Sequence, residues 1–343
     1  MGYTTEHLPT EPAYSLVVDG RNITPGIEAR LMSLTLTEER GGSADQLDLE
    51  LDDSDGALQL PAKGAVIALQ LGWAGQLVDK GTFTVDEVEH SGAPDRITVR
   101  ARSADMRKPM RTRAEHSYHA TTLGEIVTAI AQRNKLTPRI DPRLATVKVE
   151  HVDQTHESDL HFCTRLASQH DAVCTVKKGH LLFLPVQDTR TSSGQPLRAV
   201  AITRRQGDQH RYHTADRAAY SGVRAYWQDP DTAQRRSALV GTEENEKRLK
   251  DTYGSEADAL AAARAERQRV ERGKATFEIT LALGRTELAA QTPVAVRGFK
   301  AEIDSTPWRI KKLTHTLGDG GLTTRLELET QGSATASDGG EDN

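Results

Sequence analysis

The chain contains one β-rich segment twice, once near each end. The first copy, from Phe83 to His90, reads FTVDEVEH and is followed by a turn and the alternating strand ITVRA. The second copy, from Trp308 to His315, reads WRIKKLTH and is followed by a glycine-rich turn and the strand TRLEL. An aromatic residue, two aliphatic residues and a histidine occupy matching offsets in both copies. The repeat predicts two related antiparallel β-units in one chain.

The alternation of apolar and polar residues changes phase at the same place in both copies. The break falls at Asp86-Glu87 in the first copy and at Lys311-Lys312 in the second. Such a break predicts a β-bulge, a local feature that alternation alone does not generate, so its recurrence supports duplication. Two further matches are expected upstream: Pro61 with Pro293, and Gly72-Trp73 with Gly298-Phe299.

The sequence predicts a β-rich α+β fold. Two related antiparallel β-barrel domains are expected, with an intervening small α/β module and one long surface helix, and 343 residues are enough for this division. The predicted boundaries are a flexible arm at 1–12, the first β-barrel domain at 13–108, the α/β module at 114–196, the second β-barrel domain at 197–330 with its helix at 255–272, and a disordered acidic tail at 331–343.

The helices carry recognisable start and stop signals. Thr122 and Glu125 form a capping box ahead of an amphipathic helix, and Ser158 precedes a second helix. The long helix at 255–272 is followed by Gly273, and its apolar stripe is narrow. We expect that stripe to consist of Ala257, Leu260 and Ala261.

Charge and composition exclude several classes of partner. The net charge is -5 and the pI is about 6.2, so no nucleic-acid surface is expected, and the basic run Arg107 to Arg113 is interpreted as a solvated linker. The sequence shows neither a membrane span nor a signal peptide, so no membrane partner is expected. Cys163 and Cys174 are the only cysteines, and we expect two buried thiols rather than a disulfide framework.

The sequence nominates no catalytic, cofactor-binding or metal-binding residue. The acidic turn Asp52 to Gly56 lacks the terminal ligands of a calcium loop and is interpreted as a strand-ending turn. His90 and His315 are expected to close equivalent strands without a chemical task. One further group has zinc-binding atoms but no paired-ligand spacing, and consists of His156, His161, Cys163, His170 and Cys174.

Several segments together resemble the phage late control protein D family, the baseplate hub proteins of contractile phage tails and R-type pyocins. That family is similar to the hub-like N-terminal part of VgrG spikes. The resemblance runs from about residue 13 to 330, and its most specific part is the helix that begins at Glu157-Ser158-Asp159. The segments that carry it are TLGEIV from Thr122, QTHESDLHFCTRLA from Gln154, GHLLF from Gly179, PVAVRGF from Pro293, and Trp308-Arg-Ile310 with His315.

The resemblance implies a structural hub rather than an enzyme. It implies a homotrimer with pseudo-six-fold symmetry that joins the hexameric tail tube protein to a trimeric spike protein and contacts other baseplate proteins and the tape measure protein. The implied location is a virion or phage-tail-like particle assembled in the bacterial cytoplasm, with no cofactor, nucleic acid or membrane involved. Two alternatives stay open: a tail-associated cell-wall hydrolase, which would need a carboxylate pair in a cleft, and a stand-alone carbohydrate- or peptide-binding β-domain protein.

Overall fold

The computed structural model describes residues 11–41, 44–103, 110, 112–177, 179–187, 197–214, 220–229 and 231–331. Strands dominate these residues and helices are fewer, which confirms the predicted β-rich α+β class. Most of the predicted arm, most of the basic run and the tail after Gln331 lie outside the described residues. Within the basic run, Met110 is fully buried, so the interpretation as a solvated linker is wrong at this residue, whereas Arg113 is exposed and begins a strand.

The first β-unit spans residues 12–103. A short helix, α1 (Thr24–Ile27), and a 3-10 turn at 28–30 connect two of its strands. Its strands are β1 (Pro12–Val18), β2 (Arg21–Asn22), β3 (Leu31–Glu39), β4 (Gln46–Asp52), β5 (Val66–Trp73), β6 (Gln76–Ser91) and β7 (Arg96–Ser103).

The α/β module follows and spans the described residues between 113 and 185. Two of its helices pack on a small sheet and share one apolar core with it. Its elements are β8 (Arg113–Thr122), α2 (Leu123–Arg133), β9 (Thr137–Ile140), α3 (Pro142–Ala145), β10 (Lys148–Ser158), α4 (Asp159–Gln169), β11 (Ala172–Lys177) and β12 (His180–Pro185).

The second β-unit carries an insertion between its second and third strands. The insert is a three-stranded sheet covered by one long helix, and it has its own small core. In chain order the elements are β13 (Val200–Thr203), β14 (Gly207–Thr214), the insert strands β15 (Gly222–Gln228), β16 (Arg235–Gly241) and β17 (Glu246–Tyr253), the insert helix α5 (Glu256–Arg272), then β18 (Ala275–Leu281), β19 (Pro293–Arg297), α6 (Ala301–Asp304), β20 (Trp308–Gly318) and β21 (Gly321–Thr330).

The two β-units have the same strand order. The first runs β3-β4-β7-β6-β5-β1 and the second runs β14-β18-β21-β20-β19-β13. They differ at the last pair, because β1 is antiparallel to β5 whereas β13 is parallel to β19. Within the described residues, all these strands and β2 form a single thirteen-stranded sheet, since β20 of the second unit pairs with β3 of the first.

The predicted duplication holds residue by residue in the strand registers. Phe83 pairs with Ser103 on β7, and Trp308 pairs with Thr330 at the equivalent place on β21. The register shifts between Val85 and Glu87 in one unit and between Ile310 and Lys312 in the other, which confirms the shared bulge. Val88 then stands in the position of Leu313, and His90 in that of His315.

The two upstream matches expected from the sequence are wrong. Pro293 stands opposite Arg309, the position that Val66 holds opposite Thr84, so Pro61 has no equivalent there. Strand β5 continues to Trp73 and turns directly into β6, whereas β19 ends at Arg297 and continues into α6. The second unit replaces a hairpin with a helical turn, and this change removes the correspondence.

The helices begin and end where the sequence signals predict, but the buried face of α5 differs from the predicted one. The capping box of Thr122 and Glu125 is present, Ser158 caps α4, and Gly273 ends α5. The predicted α5 stripe is confirmed only at Leu260, which is half-buried against the core of the insert, because α5 lies on the insert sheet and against α4 mainly through other residues. The buried residues of α5 are Ala259, Ala262, Ala263, Ala265, Glu266, Val270 and Arg272.

Cys163 on α4 and Cys174 on β11 are both buried free thiols in the core of the α/β module, as predicted. In the described part of the chain, no helix is both long and apolar enough to span a membrane.

Candidate functional site: the junction of the two β-units and its open edges

The two β-units meet along β3 and β20. These strands pair antiparallel from Lys312 opposite Glu39 to Leu317 opposite Leu34. Leu317 and Leu322, at the tip of the β20–β21 hairpin, belong to the apolar core of the first unit. The pairing therefore fixes the orientation of one unit relative to the other.

A buried polar cluster lies at this junction. Nζ of Lys80 is 2.7 Å from Oε2 of Glu38, and Nε2 of His315 is 3.2 Å from the same Nζ and 3.3 Å from Oε2 of Glu38. On the other side of the ring, Nδ1 of His315 lies 2.8 Å from the hydroxyl of Thr324. The histidine side chain is fully buried and the lysine side chain is 4% exposed, so the three groups depend on one another for polar partners.

The environment shifts the protonation equilibria of this cluster. Burial alone would raise the pKa of Glu38, but the hydrogen bond with His315 and the charge of Lys80 outweigh burial and lower that pKa to about 2. Burial lowers the pKa of His315 below its usual value, although contact with Glu38 opposes the shift. At neutral pH Glu38 is therefore a carboxylate and His315 a neutral imidazole, and both lie against Nζ of Lys80.

A second buried charge cluster joins the first β-unit, the α/β module, α5 and the second β-unit. Arg40, just after β3, contacts Glu329 on β21. Arg272, near the end of α5, forms two contacts with Asp171 of the module, one of 2.6 Å, and lies 3.8 Å from Glu329. Arg309 donates to the backbone carbonyl of Val186 at 2.6 Å.

This second cluster holds three guanidinium groups around two carboxylates. The pKa of Arg40 falls to about 10, first because of burial and then because of the nearby Arg272 charge. Removal of one carboxylate would leave a buried cation without compensation, which is far more costly than loss of a surface pair. The cluster therefore fixes four parts of the chain to one another.

The residues that the sequence singled out do not form one site. His161 contacts Glu157 and His156 contacts Glu115, both at the surface, whereas Cys163 and Cys174 lie in the module core. Among the described residues, no group of three or more His, Cys, Asp or Glu side chains is arranged to hold a metal ion. At the acidic turn, Asp52 accepts from the backbone of Ser54 and Asp55 pairs with Arg30, contacts that fit a strand-ending turn. The geometry of the described residues therefore does not support a metal site at this group of His and Cys side chains.

The two matching histidines have different surroundings. His90 is 43% exposed beside Asp53 at 3.4 Å, whereas His315 is enclosed by the junction. Sequence reasoning missed Glu38 and Lys80 as partners of His315. The sequence did contain a signal for Glu38, because on β3 it lies on the same face of the strand as the buried Leu34 and Leu36. Lys80 gave no such signal, because a register shift between β5 and β6 turns it inward.

Several strand edges are open among the described residues, and two of them belong to β14 and β6, the strands equivalent to the β3 and β20 that meet at the junction. Strand β14 pairs with β18 on one side and with no strand on the other. Strand β6 pairs with β7 from Phe83 to Ser91, but β5 and the two residues before it cover β6 only as far as Val85. The segment Asp86 to Ser91 therefore has one uncovered edge, and open edges of this kind are templates for pairing with another chain.

Comparison with known proteins identifies the family. The sequence model described as phage tail baseplate hub (GPD) matches residues 35–321, which is most of the chain. Probable baseplate hub proteins of Escherichia phages 186 and P2 are each 44% identical to this chain over 362 and 361 residues, with 93% of both chains covered. The 43 kDa tail protein of prophage MuSo2 from Shewanella oneidensis has the same fold, with a TM-score of 0.69, 15% identity, and coverage of 94% of this chain and 99% of that one.

These matches confirm the resemblance to the family that the sequence indicated. The chain belongs to the phage tail baseplate hub family.

Proposed function

We propose that this baseplate hub protein acts as a trimer with pseudo-six-fold symmetry, which joins a hexameric tail tube to a trimeric spike. The observation that carries the proposal is the shared strand order and shared bulge of the two β-units. Each chain offers two equivalent faces, so three chains can offer six. A trimer of this kind resolves the mismatch between a six-fold tube and a three-fold spike.

The junction of the units supports a load-transmitting role. Strand pairing between β3 and β20 and the buried contacts of Glu38 and Arg40 couple both units to the α/β module. A hub that holds a tube against a spike needs such coupling, because independent domains would rotate against one another. We infer that each unit acts as one barrel domain, with the module between them.

The proposed role is structural and needs neither catalysis nor a cofactor. Expected partners are the tail tube protein, the trimeric spike protein, other baseplate proteins and the tape measure protein. We expect the protein in the baseplate of a virion or tail-like particle that assembles in the bacterial cytoplasm. The chemistry of the described clusters supports this role, since their charged groups bind one another rather than converge on an open cleft.

Gene deletion tests the proposal. Deletion of this gene in the cell that produces the particle should abolish tails with complete baseplates in electron micrographs, and the full chain supplied in trans should restore them. Purified protein should release no more peptidoglycan fragments than buffer does. Intact baseplates in the deletion strain would contradict the hub role. Release of fragments that disappears when one Asp or Glu is replaced would instead support the hydrolase alternative.

A further inference from the structure

The pairing inside the chain shows what each open edge lacks. In the second unit, β19 covers the first residues of β20, and β3 covers β20 from Lys312 to Leu317. In the first unit, β5 and the two residues before it cover β6 only through Val85. Since Glu87 is the equivalent of Lys312, the open part of β6 begins at the place where β3 takes over on β20.

Strand β14 is the counterpart of β3. Tyr212 lies opposite Phe277 on β18, as Leu36 lies opposite Leu47 on β4, and these partners occupy equivalent places in the two units. Strand β3 has neighbours on both sides, and Leu36 is fully buried. Tyr212 is 36% exposed, because no described strand lies along the outer edge of β14.

We propose that the open part of β6 in one copy of the chain pairs antiparallel with β14 of a neighbouring copy. This inference rests on the proposed function and defines its subunit interface. The register follows from β20 and β3, in which Thr314 pairs with Thr37 and His315 pairs with Leu36. At the new junction the corresponding pairs are Glu89 with His213, His90 with Tyr212, and Ser91 with Arg211.

The two edges have complementary charge. The open part of β6 carries three carboxylates and His90, and β14 with the preceding turn carries three arginines, two histidines and Asp208. The acidic members are Asp86, Glu87 and Glu89, and the basic members are Arg204, Arg205, His210, Arg211 and His213. Asp86 and Glu87 already contact Arg102 and Arg100 of β7, so Glu89 is the carboxylate that the proposed register offers to β14, opposite His213 and close to Arg211. This placement favours β6 against β14 over β6 against β6 or β14 against β14.

The partner is a second copy of this chain because each copy has one edge of each kind. An interface between two different patches of the same protein is head-to-tail, and it closes into a ring when the rotation allows. Three such contacts would alternate with three β3–β20 junctions and produce six similar strand pairings. The new junction is the more polar of the two, since Gly92 and Asp95 occupy the positions of the buried Leu317 and Leu322.

A cysteine pair tests the register. Facing residues on antiparallel strands lie about 4.5–5.5 Å apart at Cα, within the range that a disulfide spans. The variant Glu89→Cys with His213→Cys should complement the deletion, and most of its chain in oxidised purified particles should run as covalent dimers and trimers on a non-reducing gel. The matched control is Thr37→Cys with Thr314→Cys, which should crosslink within one chain and stay at monomer mass.

The outcomes separate this inference from the proposed function. Particles that assemble with the Glu89→Cys and His213→Cys pair but show no covalent oligomers would overturn the interface and leave the hub role intact. A crosslink of this pair at monomer mass would also overturn it, because the edges would then close within one chain. Failure of the proposed hub function would be seen separately, as intact baseplates in the deletion strain, and needs no cysteine variant.

Charge reversal gives an independent reading of the same interface. Glu89→Arg places a cation near Arg211 of the neighbouring copy, and particle yield should fall by tenfold or more, on the order of the effect of one unfavourable close contact. Adding Arg211→Glu should restore most of the yield, which a folding defect would not allow. If the double variant Glu89→Arg with Arg211→Glu still gives a low particle yield, the proposed register is wrong.

Discussion

Nζ of Lys80 on β6 lies 2.7 Å from Oε2 of Glu38 on β3, and only 4% of the lysine side chain is exposed. This pair closes the polar side of the junction between the two β-units and contacts His315 of the second unit. A buried pair of this kind adds little net stability over an apolar pair, but loss of one partner is costly. The junction therefore depends on complete pairing of its charges.

Replacement of Glu38 should weaken the whole sheet. Glu38→Gln leaves the Lys80 ammonium buried without its carboxylate, and the expected loss in the free energy of unfolding is about 3–5 kcal/mol. Urea denaturation followed by circular dichroism measures this loss. The control Glu150→Gln changes an exposed carboxyl group on β10 and should stay within about 0.5 kcal/mol of the parent. Equal stability of the two variants would contradict the role of the junction cluster.

Acid should destabilise the junction. The pKa values of His315 and Glu38 are both lowered in the folded state, so the unfolded chain binds more protons and stability falls with falling pH. The His315 contribution is lost as pH drops below its ordinary value of 6.5, and the Glu38 contribution as pH drops from 4.5 towards 2. Thermal melts of the parent and of His315→Gln should converge between about pH 7.5 and about pH 5.5. Parallel profiles would show that His315 does not titrate as described.

The contact between Asp171 and Arg272 should hold the α/β module to α5. Asp171→Asn removes the carboxylate facing a guanidinium whose side chain is 3% exposed, and the expected cost is about 3 kcal/mol. Limited proteolysis should then release module fragments earlier than from the parent. Asp319→Asn, at an exposed turn, is the matched control and should leave the digestion pattern unchanged. Identical digestion of both variants would show that this contact does not hold the α/β module to α5.

The two native thiols should resist modification. A hydrogen bond with Cys174, followed by burial, raises the pKa of the Cys163 thiol, and the thiolate is the reactive form. Labelling with a thiol reagent should be slow in the folded protein and complete in denaturant. An exposed Ser305→Cys should label rapidly under native conditions and serves as the reference. Rapid labelling of the parent would show that the module core opens readily.

Local features of this fold could be predicted from the sequence. The capping box of Thr122 and Glu125, the end of α5 at Gly273 and the bulges at 86–87 and 311–312 all depend on a few neighbouring residues. The duplication was visible because both copies keep one period and one irregularity. These signals are short-range, so no knowledge of the tertiary arrangement was needed.

The junction could not be predicted, because it depends on contacts between residues far apart in the chain. Nothing near Leu34 or Leu317 in sequence specifies that β3 pairs with β20. The inward turn of Lys80 arises from a register shift, and the burial of Arg272 depends on an aspartate of the α/β module. The face of α5 was misassigned for the same reason, since the insert sheet and α4 decide which alanines are covered.

Cryo-electron microscopy of purified particles tests the central claim most directly. A reconstruction of the baseplate with no more than three-fold symmetry imposed should contain three copies of this chain around the tail axis. First and second β-units should alternate at six positions against the tube, with β6 of each copy beside β14 of the next. Six copies of the chain, or three copies that contact the tube through only one kind of unit, would contradict the account.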